Sequence, residues 1–440
     1  MQTSKFKWIR LALVLVLGLL VVSPIASAQS VQAAVPITGI ICTEGPSFSL
    51  TAQSGYIQMS DMNTVYMWSY GIGTTSGNFQ YPGPVLCVNE GDTVSVTLKN
   101  ELPYNLPTSL IFPGQENVMA DGVLAQPDLA NDSLTNSVAN GGSITYSFVA
   151  SRPGTFIYES GTDTKTQVTM GLASVLIVRP NMGADFVYNR APDQFTPEEE
   201  FMAFLSEVDP YQHSAWEKSV GKGRNYNLNN YHAYYWLLNG RGFPDTMADN
   251  NASWLPNQPY GALARIHPFN ADPGAGIDYH PYPAVERFIN VGTEEYPFHP
   301  HGQNGLVVGR DGFPLAGPGG QDMSFENFLV NIGPGQTWDV IFDWHDAEAY
   351  SPANPVDVTV PDLANVTIGM FYSGSPYLGY QQTMPPGTTT LNQCGEYYII
   401  SHNHALFQLD AFGQTLAGPI TYLRIDPPLS QQQATGLLCP

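Results

Sequence analysis

The chain has 440 residues, with 38 acidic and 16 basic side chains and a formal net charge of −22 at pH 7. A surface of that sign repels nucleic acid and anionic lipid, so neither is expected as a partner. Only 12% of the residues are charged, whereas 42 Gly, 36 Pro, 24 Tyr and 21 Phe are present. This composition is typical of an all-β protein with many turns and excludes a disordered acidic tail.

The N-terminus has the pattern of a secretory signal peptide. Lys5, Lys7 and Arg10 precede an apolar run at 11–22, and the small residues at 26–28 resemble a cleavage site. The run is shorter than the ~20 residues of a membrane span. We therefore expect residues 1–28 to be removed and the mature protein to be secreted, extracellular or periplasmic, with no membrane span. Its net charge would change from −22 to −25, because three of the 16 basic residues are lost.

Apolar and polar residues alternate along the first half of the mature chain, most clearly at 94–98. Side chains of a strand alternate between two faces, so this period of two predicts half-buried strands. No convincing helical period interrupts them, and we expect a β-sandwich over residues 36–180. The predicted strands are 47–53, 64–70, 85–100, 143–150, 154–159 and 171–178.

The second half begins with a polar, Pro-containing stretch at 181–199, which we interpret as a linker. A larger sandwich with loop insertions is expected over 200–435, so the fold class is all-β with sandwiches in tandem. Residues 211–231 have an irregular pattern and 247–283 a loop-like one. The predicted strands are 200–207, 234–239, 285–292, 298–309, 328–332, 338–344, 367–372, 397–410 and 420–425.

Four cysteines are present, Cys42, Cys87, Cys394 and Cys439. An even number in an exported protein predicts two disulfides, for which three pairings are open. Bonds between the N-terminal and C-terminal halves are favoured, because the cysteines lie near the two ends of the chain.

Two H-x-H units hold four of the nine histidines, His299 with His301 and His402 with His404. On a strand, residues i and i+2 share one face, so each unit presents two imidazoles side by side. Two such strands facing each other would supply four nitrogen ligands, which suits copper or, alternatively, zinc. The alternative is two pairs of hydrogen-bonded histidines without metal.

Residues 296–302 resemble the third histidine motif of the multicopper oxidase family, H-P-x-H-x-H-G, with Tyr296 in place of the first His. The flanking segments 287–292, 308–312 and 332–340 are similar as well. The resemblance covers most of the mature chain. It implies cupredoxin-like Greek-key β-sandwiches in tandem, copper as the cofactor and, at most, a copper-dependent oxidoreductase of unknown substrate.

The same resemblance implies that the blue-copper site of that family is missing. The family's fourth motif is H-C-H with a later His, and here Asn403 stands for the Cys and Gln408 for the later His. A blue-copper site needs a thiolate and two imidazoles, which these residues do not supply. A reduced histidine-based copper site is therefore expected, and the full laccase reaction is not.

The first two motifs of the family are matched without their histidines. Ile111 and Pro113 replace those of S-x-H-x-H-G-Q, and Glu159 and Gly161 replace those of Y-H-S-H. Glu159 would add a carboxylate ligand to the copper site. The two-domain arrangement implies a homotrimer, or another homo-oligomer, in which the four-histidine face of one subunit meets the Ile111/Glu159 face of the next.

Two functions follow from this pattern. The first is a secreted copper-binding protein with a reduced copper site and possible oxidoreductase activity. The alternative is a non-catalytic extracellular scaffold or assembly protein that keeps only the fold. The first is favoured because two motifs are empty whereas the other two keep both histidines, and random loss would have eroded all four.

Overall fold

The structure is a computed structural model that describes residues 38–218, 226–267, 281–301, 304–343 and 397–426. Strands dominate these residues, so the all-β prediction is confirmed. The predicted signal peptide, the predicted strand at 367–372, Cys394 and Cys439 lie outside them. Among the described helices, none has the length and apolar character needed to cross a bilayer.

The first sandwich consists of two sheets that pack face to face. The first inner sheet has the strand order β1-β4-β10-β9, and the first outer sheet has the order β3-β2-β5-β8-β6-β7. Alternate residues such as Leu50, Val96 and Leu176 fill the space between them, as the period of two predicts. The strands are β1 (Cys42–Glu44), β2 (Ser47–Gln58), β3 (Thr64–Ile72), β4 (Val85–Asn89), β5 (Thr93–Asn100), β6 (Met119–Ala120), β7 (Val123–Leu124), β8 (Ser143–Val149), β9 (Gly154–Glu159) and β10 (Ala173–Arg179).

The second sandwich is built in the same way. Its inner sheet has the order β12-β11-β14-β20-β16-β17, with β18 also paired to β16, and its outer sheet has the order β13-β22-β21-β15-β19. The strands are β11 (Glu200–Val208), β12 (Tyr235–Leu238), β13 (Ala264–Ile266), β14 (Ala284–Asn290), β15 (Tyr296–Pro300), β16 (Gly305–Arg310), β17 (Phe313–Pro314), β18 (Phe325–Asn327), β19 (Val330–Ile332), β20 (Thr337–Phe342), β21 (Tyr397–Asn403) and β22 (Ile420–Ile425).

The two inner sheets pack on each other through a shared apolar cluster. Val85 and Ile177 of the first sheet meet Phe204 and Ile289 of the second. Strands β11 and β14 are therefore buried along their whole length, because both of their faces are covered. The second outer sheet, which carries both H-x-H units, is the last of four stacked layers.

Helices are short, and one of them corrects a prediction. Helix α1 spans Thr164–Gln167, and helix α2 spans Pro210–Lys218, where the sequence pattern indicated irregular chain. The Asp209 carboxylate accepts hydrogen bonds from the backbone N–H groups of Tyr211 (2.8 Å) and Gln212 (3.3 Å). An aspartate cap followed by proline at the first helical position starts a helix without a long apolar period. The Asp-Pro pair was the missed signal.

The expected disulfide pairing is also wrong. Cys42 is bonded to Cys87 within the first sandwich, with 5.5 Å between their Cα atoms. Strands β1 and β4 are parallel neighbours, and this brings two cysteines 45 residues apart onto adjacent strands, where they lie diagonally, with Cys42 opposite Val85 and Cys87 opposite Glu44. Strand pairing, and not distance from the chain ends, decides the partner.

The predicted linker at 181–199 forms part of the packed structure. It contains no strand, and its side chains Val187, Tyr188 and Phe195 are buried against Val285 and Ile341 of the second inner sheet. The segment therefore covers part of a sheet face. The domain boundaries at 36–180 and 200–435 stay predictions.

Candidate metal centre

The two H-x-H units lie on neighbouring strands of the second outer sheet. Strands β15 and β21 pair antiparallel, with His299 opposite His402. Backbone hydrogen bonds continue past the strand ends, from His301 N–H to Ile400 (3.0 Å) and from His404 N–H to Pro297 (2.7 Å). The histidines thus come from side-by-side strands of one sheet, and not from two strands facing each other as expected.

All four imidazole rings gather at one place on the outward face of that sheet, because Phe298 between the first two points into the core. His402 is buried, His299 and His301 are half-buried, and His404 is exposed. The ring centroid distances are 4.5 Å for 299–301, 5.1 Å for 301–402, 5.4 Å for 299–404, 5.6 Å for 402–404 and 5.9 Å for 299–402.

Backbone carbonyl groups orient two of the rings. His299 Nδ1 lies 2.5 Å from the Phe328 oxygen, and His402 Nδ1 lies 2.8 Å from the Asn403 oxygen. A carbonyl oxygen only accepts, so Nδ1 carries the proton in both rings and the Nε2 lone pair remains for a ligand. Such outer partners are typical of metal-binding histidines.

The spacing of the closest nitrogen atoms fits a hydrogen bond between the two rings, and it also fits two ligands of one ion. His301 Nε2 and His402 Nε2 are 3.0 Å apart. With metal–nitrogen bonds of about 2.0–2.1 Å, two ligands at a right angle are about 2.9 Å apart and two at a tetrahedral angle about 3.4 Å. Among the described residues, no three of these histidines bring one nitrogen each within 4.8 Å of one another. The nitrogens of His301 and His402 therefore already have the spacing of two ligands, and the rings of His299 and His404 lie next to them.

The electrostatics of the cluster favour neutral imidazole at its centre. Burial, followed by the neighbouring rings of His301, His299 and His404, lowers the pKa of His402 to about 4, against the opposing hydrogen bond to Asn403. His402 is therefore neutral at pH 7, which is the form that binds metal.

Asn403 and Gln408, the two residues that replace ligands of the fourth motif, are hydrogen-bonded to each other. The Asn403 side-chain amide donates to Gln408 Oε1, and Gln408 Nε2 donates to Glu294 Oε2 at 2.6 Å. The Trp236 indole N–H donates to the same Glu294 oxygen at 2.9 Å. Asn403 and Gln408 are thus close in space, as their motif positions predict, but their amide groups are paired.

Tyr296, which replaces the first His of the third motif, binds a buried carboxylate that the sequence analysis did not identify. Its hydroxyl donates to Glu207 Oε2 at 2.6 Å, and the Thr293 hydroxyl donates to Glu207 Oε1 at 2.7 Å. Burial raises the pKa of Glu207, although these hydrogen bonds partly offset it. The available signal was a glutamate inside the apolar run of β11, which needs buried partners.

Glu159 lies in the first inner sheet, and the second inner sheet lies between it and the layer that carries the histidines. Its backbone pairs with Ile111. Burial alone raises the pKa of Glu159 to about 7. Nearby Gly161 has no room for a side chain, because its Cβ would lie 2.6 Å from Ile111 Cγ2. Within one chain, the structure does not bring Glu159 to the four histidines.

Comparisons with known proteins agree with this architecture. A family model described as "Multicopper oxidase" matches residues 64–183. The laccase abr2 of Aspergillus fumigatus is 33% identical over 119 residues, which are 26% of this chain and 18% of the laccase. The chain therefore aligns with less than a fifth of that relative.

Two solved structures are similar over most of the chain. The multicopper oxidase mgLAC is 20% identical with a TM-score of 0.55, and 86% of each chain is covered. The blue copper oxidase from Nitrosomonas europaea is 19% identical with a TM-score of 0.53, covering 86% of this chain and 85% of that one. At these identities the shared feature is the fold, and the predicted tandem cupredoxin-like sandwiches are confirmed.

Proposed function

Because this chain is a relative of the cupredoxin-type multicopper oxidases, we propose that it is a secreted protein that binds one copper ion through His299, His301, His402 and His404. The observation that carries the proposal is the 3.0 Å separation of His301 Nε2 and His402 Nε2. The carbonyl groups that hold Nδ1 of His299 and His402 support it, since they direct Nε2 toward a ligand.

The donor set limits the chemistry. Neutral imidazoles suit copper in either oxidation state, so a bound ion would supply one-electron redox chemistry. The amide pair of Asn403 and Gln408 supports the absence of a blue-copper site, because neither group replaces a thiolate. The chain's own residues bind and orient the ion, and the reduced donor set argues against the four-electron laccase reaction.

Copper analysis of the mature protein tests this proposal. After loading and removal of loose metal, we expect about one copper per chain and no intense absorption near ~600 nm, because no thiolate is available. His301→Ala and His402→Ala should each weaken copper binding by more than the roughly 10–100-fold that loss of an outer partner costs. Titration against a competing chelator measures the change.

The exposed His232 provides a control, because it lies outside the cluster. His232→Ala should leave copper content unchanged. Unaltered copper in both His301→Ala and His402→Ala would refute the proposed site, and so would equal losses in all three variants. If the protein retains zinc and not copper, the site is a structural zinc site.

The alternative, a non-catalytic extracellular scaffold, is favoured by one observation. The motif positions of the first sandwich are closed by packing, with Ile111 against Gly161. Buried hydroxyl groups of Ser109, Ser133 and Thr162 lie nearby, 2.9–3.0 Å from one another. Failure of the chain to bind any metal would favour the scaffold function over the copper site.

Secretion is supported by the signal-like N-terminus and by the Cys42–Cys87 disulfide, since such bonds persist in oxidising compartments. The site would then be loaded outside the cytosol.

Exposed apolar side chains beside the histidines support a homo-oligomer, with a homotrimer as the expected form. Phe328 is 61% exposed, Leu406 and Phe407 are each 64% exposed, and the Phe328 ring is 5.8 Å from that of His299. A neighbouring copy would cover this surface and bring its Glu159 carboxylate toward the histidines.

Phe407→Ser should therefore shift the protein toward monomer in sedimentation analysis, because it removes apolar contact area. The exposed Met62 lies on the first sandwich, and Met62→Ser serves as the control. A wild-type protein that sediments as a monomer would contradict the assembly but not the copper site.

A further inference from the structure

A groove of about 310 Å³ lies between the start of β3, helix α2 and the turn at 411–414. Its aromatic walls are Tyr66, Tyr211, Tyr235 and Phe412. The Phe412 ring stacks on Tyr235 with 5.8 Å between centroids and 23° between planes, and it lies 5.0 Å from the ring of Tyr234. The tyrosine-rich run at 231–236 thus contributes to a surface that copper binding does not use.

Two of these rings are open to solvent. Tyr211 is 56% exposed and Phe412 is 45% exposed, and their centroids are 6.3 Å apart. Each makes further ring contacts, so both are held in place and present a rigid apolar face. Large aromatic rings fixed at a groove are typical of ligand sites.

Phe412 also adopts a backbone conformation that is unfavourable for its residue type. Its φ is 51° and that of Gly413 is 86°, and the flanking residues Ala411 and Gln414 exchange backbone hydrogen bonds of 2.9 and 3.0 Å. A two-residue turn with both φ values positive prefers Asn-Gly. An aromatic residue in this place costs free energy, and such strained residues cluster at functional sites.

The polar rim of the groove selects for a neutral ligand. Asn63 and Ser214 offer hydrogen-bonding groups, while Glu217 and Lys218 carry opposite charges at adjacent positions. The Glu217 carboxylate also accepts a hydrogen bond from the Tyr56 hydroxyl at 2.8 Å. The two charged lining residues balance each other, and the neighbouring Asp61 carboxylate is occupied by a hydrogen bond from the Tyr235 hydroxyl at 2.9 Å. A ligand with apolar faces and hydroxyl edges therefore fits both parts of the groove.

We propose that this groove binds an oligosaccharide of β-linked, all-equatorial hexopyranose units. Equatorial substituents leave both faces of such a ring covered by C–H groups, which can pack against the exposed parts of Tyr211 and Phe412, whose ring planes are inclined by 44°. Its ring-edge hydroxyls meet the polar rim. The volume is at the small end of ligand sites, so one or two sugar units are held and the chain continues along the open groove.

Calorimetric titration with cellohexaose tests this site, with choline chloride as the organic-cation probe. The wild-type protein should bind cellohexaose and not choline. Phe412→Asn should weaken sugar binding by at least about tenfold, since it removes a central aromatic contact. Because Asn-Gly suits the turn, this variant should unfold at the same or a higher temperature. Tyr211→Ala should weaken binding similarly.

Phe313→Asn is the matched control, since Phe313 is another exposed phenylalanine outside the groove. It should leave cellohexaose affinity unchanged. Absence of sugar binding at millimolar concentrations, unchanged affinity in Phe412→Asn, or preferential binding of choline would each overturn the proposal. None of these results depends on copper, so this inference and the copper site fail separately.

Discussion

Replacement of Arg287 by methionine is expected to lower the free energy of unfolding by about 3–5 kcal/mol, the usual cost of removing one partner of a buried ion pair. Arg287 is almost fully buried in β14. Its Nε lies 2.5 Å from Glu200 Oε1, and its Nη1 lies 3.0 Å from Asp339 Oδ1. Burial disfavours the charge of Arg287, but the two carboxylates outweigh it and raise its pKa.

The expected loss of unfolding free energy is large because the two carboxylates, Glu200 and Asp339, have few other donors that could replace the Arg287 guanidinium. Glu200 keeps Arg179, at 2.5 Å, whereas the Asp339 carboxylate keeps, among the described residues, only the hydroxyl donors Thr155 and Tyr188, each at 2.6 Å. Thr155 belongs to the first inner sheet and Asp339 to the second, so the cluster also joins the two sandwiches. Without Arg287, the buried Asp339 carboxylate has no positive partner in the part of the chain that the structure describes.

Chemical denaturation of matched variants measures this effect. Lys165→Met removes an equal charge from exposed ion pairs and should cost no more than about 1 kcal/mol. Adding Asp339→Asn to Arg287→Met should recover part of the loss, because both buried charges are then removed. Equal costs for Arg287→Met and Lys165→Met would show that the cluster does not stabilise the fold.

Replacement of the adjacent Glu286 by glutamine is expected to raise the free energy of unfolding by about 3 kcal/mol at pH 7. Glu286 is on the opposite face of β14, in the core of the second sandwich, beside Phe201 and Val340. Its side chain makes no hydrogen bond with any described residue. Burial raises its pKa from 4.5 to about 8, so the folded protein holds it protonated at pH 7.

The sign follows from proton uptake on folding. The unfolded chain releases this proton above about pH 4.5, whereas the folded chain retains it up to about pH 8. Stability from this group is complete below pH 4.5 and is lost as pH rises toward 8. Glutamine stays neutral, so its advantage should be close to zero at pH 4.5 and grow with pH.

Unfolding measured between pH 4.5 and 8 distinguishes this account from a simple packing effect. The exposed Glu326 offers the control, because Glu326→Gln removes the same charge from the surface and should change stability by less than about 0.5 kcal/mol. A gain in Glu286→Gln that is constant with pH, or a loss at pH 7, would contradict the buried protonated carboxyl.

Glu286 and Arg287 show why the strand could be predicted from the sequence but the energetic effect of its charged residues could not. The pattern at 285–292 predicted a strand, and β14 is present at Ala284–Asn290. Glu286 and Arg287 are adjacent, so their side chains point to opposite faces of the strand. The sequence pattern does not show which of the two faces provides partners for a charged group. Arg287 meets partners from three other strands, whereas Glu286 lies beside Phe201 and Val340 of the two neighbouring strands.

The candidate metal site also has features that the sequence predicts and features that it does not. The two H-x-H units and the missing thiolate could be read directly, since they depend on residue identity and short spacing. The pairing of the two units as neighbouring strands of one sheet could not, because it is set by the register of β15 on β21. The same reason explains the wrong disulfide prediction and the separation of Glu159 from the histidines.

The sequence by itself determined the all-β class, most strand positions and the set of donor atoms available for a metal, because periodicity and side-chain chemistry are local properties. The tertiary structure alone decided which distant residues meet: the paired imidazoles, the Cys42–Cys87 bond, the Arg287 cluster and the exposed ring of Phe412. Long-range strand pairing and the stacking of four layers create these contacts, and no short stretch of chain encodes them.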